Sequence, residues 1–170
     1  MDLIISYDSA NDEYWRVRFY DLFEFDHNLR TMREALPSEP EDGAEYVRQI
    51  VNTQVFGPDS ILIALIGAKS HSLARLDWDF AAALTLKSGR PTPIVPLRLS
   101  THPDHGKRTI NPGRMPKRLL DNMRSEYLHL WDWTESLQKL QSHIKTASKA
   151  AREISGQATN KRELMKRNLY

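Results

Sequence analysis

The chain has 170 residues, 40% of them hydrophobic, and contains no cysteine. That length suits one domain and that apolar share a core without a staple, while the absence of thiols excludes a disulfide scaffold, a thiolate zinc site and a cysteine nucleophile. The net charge of +2 conceals an asymmetry: residues 1–60 carry 13 acidic against 5 basic side chains, and residues 61–170 carry 9 against 19.

The plain reading of that asymmetry is an acidic face and a basic face. The sharper readings are association of unlike faces between copies, giving a homo-oligomer, or attraction of a phosphate-bearing ligand. No motif for specific nucleic-acid binding accompanies the charge. The first apolar run is too short for a signal peptide and has no basic residue before it, and no stretch approaches the ~18 apolar residues of a membrane span. A cytoplasmic protein without a membrane partner is the expectation.

Taken in chain order, Leu3 to Tyr7 reads as a buried first strand. Ser9 to Asp12 is a turn rich in helix-capping residues, and Glu13 to Phe23 follows as an aromatic-rich amphipathic helix. Glu24 to Pro40 has charges, two prolines and no clear period, so a loop with a short strand or a helical turn is expected. Asp42 to Phe56 predicts a helix with Tyr46, Val47, Ile50, Val51 and Val55 on its apolar stripe, stopped by Gly57-Pro58. Ser60 to Gly67 is a continuous apolar run, the mark of a central strand covered on both faces.

Asp77 to Lys87 predicts a second apolar helix, and Pro93 to Leu97 a strand whose prolines suggest an end or an edge. Residues 99–118 form a long basic loop, of a length that is usually functional or mobile. Lys117 to Arg124 reads as a short helix and Tyr127 to Leu130 as the last strand. A long helix capped by Thr134 carries Leu137, Leu140, Ile144, Ala147, Ala151 and Ile154 as a narrow seam, for packing on the sheet or on a partner helix. Residues 155–170 read as a basic, mobile tail. The organisation is therefore one α/β domain over 1–154, with its core in 2–135 and the long helix in 134–154, followed by the tail. Alternating strands and helices predict a mainly parallel sheet with helices on both faces, and such sheets bind ligands beyond the carboxyl ends of their strands.

Three segments should meet at that edge: Ser6, Tyr7, Asp8 and Asn11 after the first strand, Gly67 to Ser70 after the central strand, and the loop after Leu97. They offer hydroxyls, a carboxylate, an amide and a close backbone approach at Gly67, but no phosphate-binding glycine motif. Each has a bland reading too. Asp8 and Asn11 are turn and cap residues by type, Tyr7 and Trp78 are core aromatics as readily as stacking platforms, and Ser70 serves equally as a loop hydroxyl. Asp79 reads as a carboxylate placed near a helix N-terminus. His102, Asp104 and His105 have metal-ligand types without a further well-spaced ligand, so no metal is expected.

Ile4-Ile-Ser-Tyr-Asp8, the strand ending Leu-Ile-Gly67, and Ala68 to Phe80 together resemble the bacterial TIR-like domains of the Thoeris anti-phage defence family. Those domains begin with a strand ending Phe-Ile-Ser-Tyr/Phe, have a central strand ending Leu-Ile-Gly, and carry a Trp-Val-x-Tyr/Trp-Glu-Ile segment about a dozen residues later. The resemblance covers roughly residues 2–135. It implies a flavodoxin-like fold that takes NAD+ as substrate, needs no cofactor, and breaks the nicotinamide–ribose bond. The product would be a cyclic or conjugated ADP-ribose signal, read by a separate effector protein. The family's catalytic glutamate falls on Asp79 and its preceding tryptophan on Arg75, while Trp78 matches the aromatic before the acid. Ser6, Tyr7, Asp8, Asn11, Gly67, Ser70 and Trp78 would line the substrate pocket.

The chemistry accounts for a carboxylate there. Nicotinamide leaves as a neutral group from a cationic linkage, so the enzyme's task is to stabilise an oxocarbenium ion on the ribose. Aspartate supplies the charge but is one methylene shorter than glutamate, which favours the alternative of a catalytically silent module acting as scaffold or nucleotide receptor. A receiver-like phosphoacceptor would need an acid where Gly67 stands and a lysine where Arg98 stands. An N-glycosidase acting on nucleosides shares the oxocarbenium logic and differs only in substrate.

Overall fold

A computed structural model of the protein describes residues 1–23, 27–36, 38 and 40–169. Among these residues five strands form one parallel sheet: β1 (Asp2–Ser6), β2 (Asn28–Thr31), β3 (Ser60–Ile66), β4 (Ile94–Arg98) and β5 (Trp131–Asp132). Among the described residues six α-helices accompany them: α1 (Glu13–Phe23), α2 (Met32–Ala35), α3 (Gly43–Asn52), α4 (Ala74–Leu84), α5 (Lys117–Arg124) and α6 (Leu137–Glu153). The strand order is β2-β1-β3-β4-β5, the flavodoxin-like arrangement, whose switch point lies between β1 and β3.

Two hydrophobic clusters divide the strands by parity, as the two-residue period of a strand requires. Ile4, Leu62, Ala64 and Ile66 face Tyr46 and Ile50 of α3, Phe80 of α4 and Leu119 of α5. Leu3, Ile5, Ile63, Leu65 and Leu97 face Phe19 and Phe23 of α1 and Leu140, Ile144 and Ala147 of α6. Every residue of β3 is buried, which is why its sequence is apolar without alternation. The seam on α6 is thus spent on the sheet.

Several boundaries differ from expectation, each for a reason outside the local sequence. β4 is an interior strand despite Pro96. Pro93 accepts from Leu62 on the β3 side, whereas Arg98 accepts from Trp133 on the β5 side, so by alternation Pro96 also faces the β5 side. β5 pairs only with Leu97 and Arg98, so the missing N–H leaves no ladder bond broken. Tyr127 and Leu128 are not in a strand; both amides donate to the Asn122 carbonyl after a left-handed Glu126 (φ 61°), and pairing begins at Trp131. α3 stops at Asn52, and Val55 and Phe56 fold back into the core. The cap of α6 is Ser136, with Thr134 accepting from its amide.

The segment expected as a loop with a short strand or a helical turn holds both, as β2 and α2, the latter capped by a reciprocal bond pair between Thr31 and Glu34. Its residues Glu24 to Asp26, Pro37 and Glu39 lie outside the described residues, as does Tyr170. Within 99–118, His102 and Asp104 are buried: His102 Nδ1 accepts from the Asp104 amide, and its Nε2 lies 3.0 Å from the Arg114 carbonyl oxygen. The Asn111 amide donates to Asp104, which holds that carboxyl below the usual range.

Where a mobile tail was expected, residues 158–169 run along α4 and α5. Asn160 Nδ2 donates to the Ala81 carbonyl, the Met165 amide to Asp77, and the Leu169 amide to the Ser72 carbonyl. Asn168 Oδ1 accepts from the Ala74 amide, supplying a cap that Leu73 cannot, and α4 accordingly starts three residues before Asp77. The centre of this contact is a buried ion pair. Arg118 donates through Nε to Asp77 Oδ1 at 2.9 Å, and further to Asn160 and to the Arg162 and Glu163 carbonyls.

A buried charge that loses its partner is costly, by about 3–5 kcal/mol. Arg118→Ala should lower the unfolding free energy by about that amount, measured by urea denaturation. Asp77→Ala with Arg118→Ala should cost clearly less than the two single losses added.

Candidate functional site

The carboxyl ends of β1 and β3 meet where the connection reverses direction, and Ser6, the last residue of β1, points its hydroxyl at α4. There Ser6 Oγ donates to Asp79 Oδ2 at 2.5 Å, and the Tyr46 hydroxyl of α3 donates to Asp79 Oδ1 at 2.5 Å. All three residues are buried, with Asp79 2% exposed. Arg75, one turn earlier on α4, places its guanidinium carbon 4.0 Å from the centre of the Tyr46 ring.

Burial pushes the Asp79 carboxyl up to about 6, against the opposing pull of the two hydroxyls and of Arg75. The Tyr46 phenol is raised by burial and by the Asp79 charge, so it remains a hydrogen-bond donor. The arrangement is a single carboxylate with both oxygens held by neutral donors and one cation close by. Chemically it can present negative charge to an electron-poor centre, or accept from hydroxyls that replace those of Ser6 and Tyr46.

The switch-point crevice itself holds a second acid. Asp12 is 1% exposed, and its carboxylate lies so close to Gly67 that a Cβ on the glycine would collide with it. A side chain at 67 would therefore have to displace the Asp12 carboxylate. Thr101 Oγ1 lies 3.5 Å from Asp12 Oδ1, and Oδ2 has no hydrogen-bond partner among the described residues. Burial first, and then the neighbouring Asp8, push the Asp12 carboxyl up to about 6. Asp8 is itself tied locally: it accepts from the Ala10 amide and from Asn11 Nδ2.

Of the residues expected at a pocket, the structure brings Ser6 and Asp79 into contact. Asp8 and Asn11 form a turn at the same edge, and buried Ser70 accepts from the Gly67 amide. Tyr7 points elsewhere: its hydroxyl donates to Glu13, and burial followed by that bond raises the phenol to about 12. Trp78 is packed between helix and tail, its Nε1 donating to the Met165 carbonyl and its indole lying against Gly43. Sequence reasoning missed Tyr46 and Asp12. Tyr46 sits on the apolar stripe of α3 like any core aromatic, and Asp12 reads as one more polar residue in a turn. Among the described residues, no group of three His, Asp or Glu could hold a metal ion.

A carboxyl whose folded value lies above its unfolded one contributes most stability when protonated, and that contribution is lost as pH rises through the folded value. For Asp12 the window runs from the usual carboxylate range to about 6 and is worth about 2–3 kcal/mol. Asp12→Asn should therefore raise the thermal midpoint at pH 7.5 and change it little at pH 4, read by circular dichroism across that range.

No model of a known protein family matches the chain, and no curated protein sequence matches it either.

Proposed function

We propose that the protein processes NAD+, cleaving the bond between nicotinamide and ribose with Asp79 as the catalytic carboxylate. One observation carries the reading: a buried aspartate at the carboxyl edge of a flavodoxin-like sheet, held on both oxygens by the hydroxyls of Ser6 and Tyr46. The resemblance of residues 2–135 to TIR-like domains of Thoeris defence, with Asp79 at the position of the acid, supports it. On this reading the product is a cyclic or conjugated ADP-ribose, released as a signal to a separate effector protein.

The chain's own groups divide the work. Asp79 takes hydrogen bonds from the ribose hydroxyls in place of Ser6 and Tyr46, and its charge stabilises the oxocarbenium ion as nicotinamide departs. Ser6 and Tyr46 hold the carboxylate's orientation until the ribose arrives. The hydrogen bonds from Ser6 and Tyr46, and after them the charge of Arg75, favour the ionised acid against the effect of burial.

A second reading has its own support. Both oxygens of Asp79 are already satisfied by the protein, as in a structural carboxylate, which favours a silent module that binds a nucleotide or a partner protein. Turnover separates the two. Purified protein at high concentration should release nicotinamide from NAD+, followed by chromatography with mass detection. Asp79→Ala should reduce the rate by about a hundredfold or more. The rate should rise with pH through about 6 as Asp79 ionises. Equal traces of product from wild type and variant would leave the binding module as the account.

A further inference from the structure

The opposite edge of the sheet, where the strands begin, holds a cavity of about 650 Å³. Its walls are the segment from Phe56 to Ile61 leading into β3, the segment from Lys87 to Pro93 leading into β4, and Ser148 to Arg152 of α6. Sites for small organic ligands commonly have volumes of about 300–1,000 Å³. The cavity shares no residue with the Asp79 site.

Its charge is lopsided. Lys87, Arg90 and Arg152 line it against the single carboxylate of Asp59. None of the three cations pairs with a carboxylate among the described residues.

Two of them are forced together by the backbone. Lys87 and Arg90 exchange both amide–carbonyl bonds, at 2.9 and 3.1 Å, across a two-residue turn in which Ser88 (φ 50°) and Gly89 (φ 82°) are left-handed. That turn matches the twist of a hairpin and puts both side chains on one face. Like charges directly opposite each other destabilise such a pair. Lys87 is further fixed by donating its ammonium to the Phe56 carbonyl at 3.0 Å, and burial lowers its pKa. The half-buried ammonium and the exposed Arg90 guanidinium both line the cavity, where an anion would neutralise them. Arg152 reaches the same space from the last turn of α6, and a guanidinium fork suits two phosphate oxygens at once. Val51, Phe56, Ile61, Pro91 and Pro93 supply apolar wall for a flat ring.

We propose that this cavity binds a nucleoside diphosphate, with Arg90 and Arg152 on the phosphates and the base against the apolar wall. It is a second site, independent of the chemistry at Asp79.

Calorimetric titration of the full chain with ADP tests the assignment, comparing wild type with Arg90→Glu, Arg152→Glu and Asp79→Asn. Wild type should bind ADP, more weakly as salt is raised. Each charge reversal should weaken binding at least about tenfold, and Asp79→Asn should leave it unchanged. Adenosine should bind much more weakly than ADP. Arg90→Glu also sets opposite charges across the turn, so its thermal midpoint should not fall, which separates a lost ligand contact from a damaged fold. No binding at millimolar ADP, binding retained in both reversals, or binding lost in Asp79→Asn would each overturn the proposal. An RNA oligonucleotide that binds more tightly than ADP and is lost in the same reversals would overturn it in favour of nucleic acid.

Discussion

A carboxylate removed from water must be satisfied by the protein around it, and the Asp79 carboxylate draws three elements to one point. It sits on α4, takes one hydrogen bond from the end of β1 and another from the first turns of α3, and feels the charge of Arg75 on its own helix. Those bonds tie the switch point of the sheet to the helix layer on one of its faces. Gly43 continues the arrangement: with no Cβ, the start of α3 can lie against the Trp78 indole, which brings Tyr46 within reach of Asp79. The same tightness that makes the acid a distinctive group also closes it. A ligand at this centre must displace hydroxyls rather than enter an empty space.

The two edges of the sheet differ in electrostatic character, and helix direction accounts for part of that. Helices that follow parallel strands start at the carboxyl edge, where their partial positive N-termini tolerate acids; Asp12 stands immediately before α1, and Asp79 lies in the second turn of α4. Helices end at the amino edge, where Arg152 occupies the last turn of α6 and Lys87 and Arg90 flank the turn after α4. Asp12 and Asp79 at the first edge are buried and raised in pKa, whereas Arg90 and Arg152 at the second are exposed and have no carboxylate partner among the described residues. One edge is closed around a carboxylate, and the other is open and cationic.

Much of this was legible in the sequence because it follows from periodicity. The run Ser60 to Ile66 read as a doubly covered strand, the alternation of strands and helices implied a parallel sheet, and Ser6 stood at the polar end of an apolar strand, whereas Asp79 was singled out by the resemblance to TIR-like domains. What was not legible depended on partners distant along the chain. Asn168 caps α4 from 94 residues away, so no local pattern marks Ala74 as the first helical residue. Tyr46 and Asp79 are 33 residues apart, and the periodicity of α3 shows only that Tyr46 faces inward. The last strand was misplaced by a few residues because the Tyr127-Leu128 run is apolar for packing beneath α5, while pairing was set by the short reach of β4. Polar residues of the tail, Asn160 and Asn168 among them, suggested mobility by composition, yet they serve as hydrogen-bond partners for α4, α5 and the Asp77–Arg118 pair.

The most direct measurement is a crystal structure of the Asp79→Asn protein grown with NAD+. The account predicts the nicotinamide ribose beside residue 79, its hydroxyls bonded to that side chain and the Ser6 and Tyr46 hydroxyls moved away. Crystals grown in saturating NAD+ that retain the closed contact among residues 6, 46 and 79, with no dinucleotide at the carboxyl edge, would contradict it.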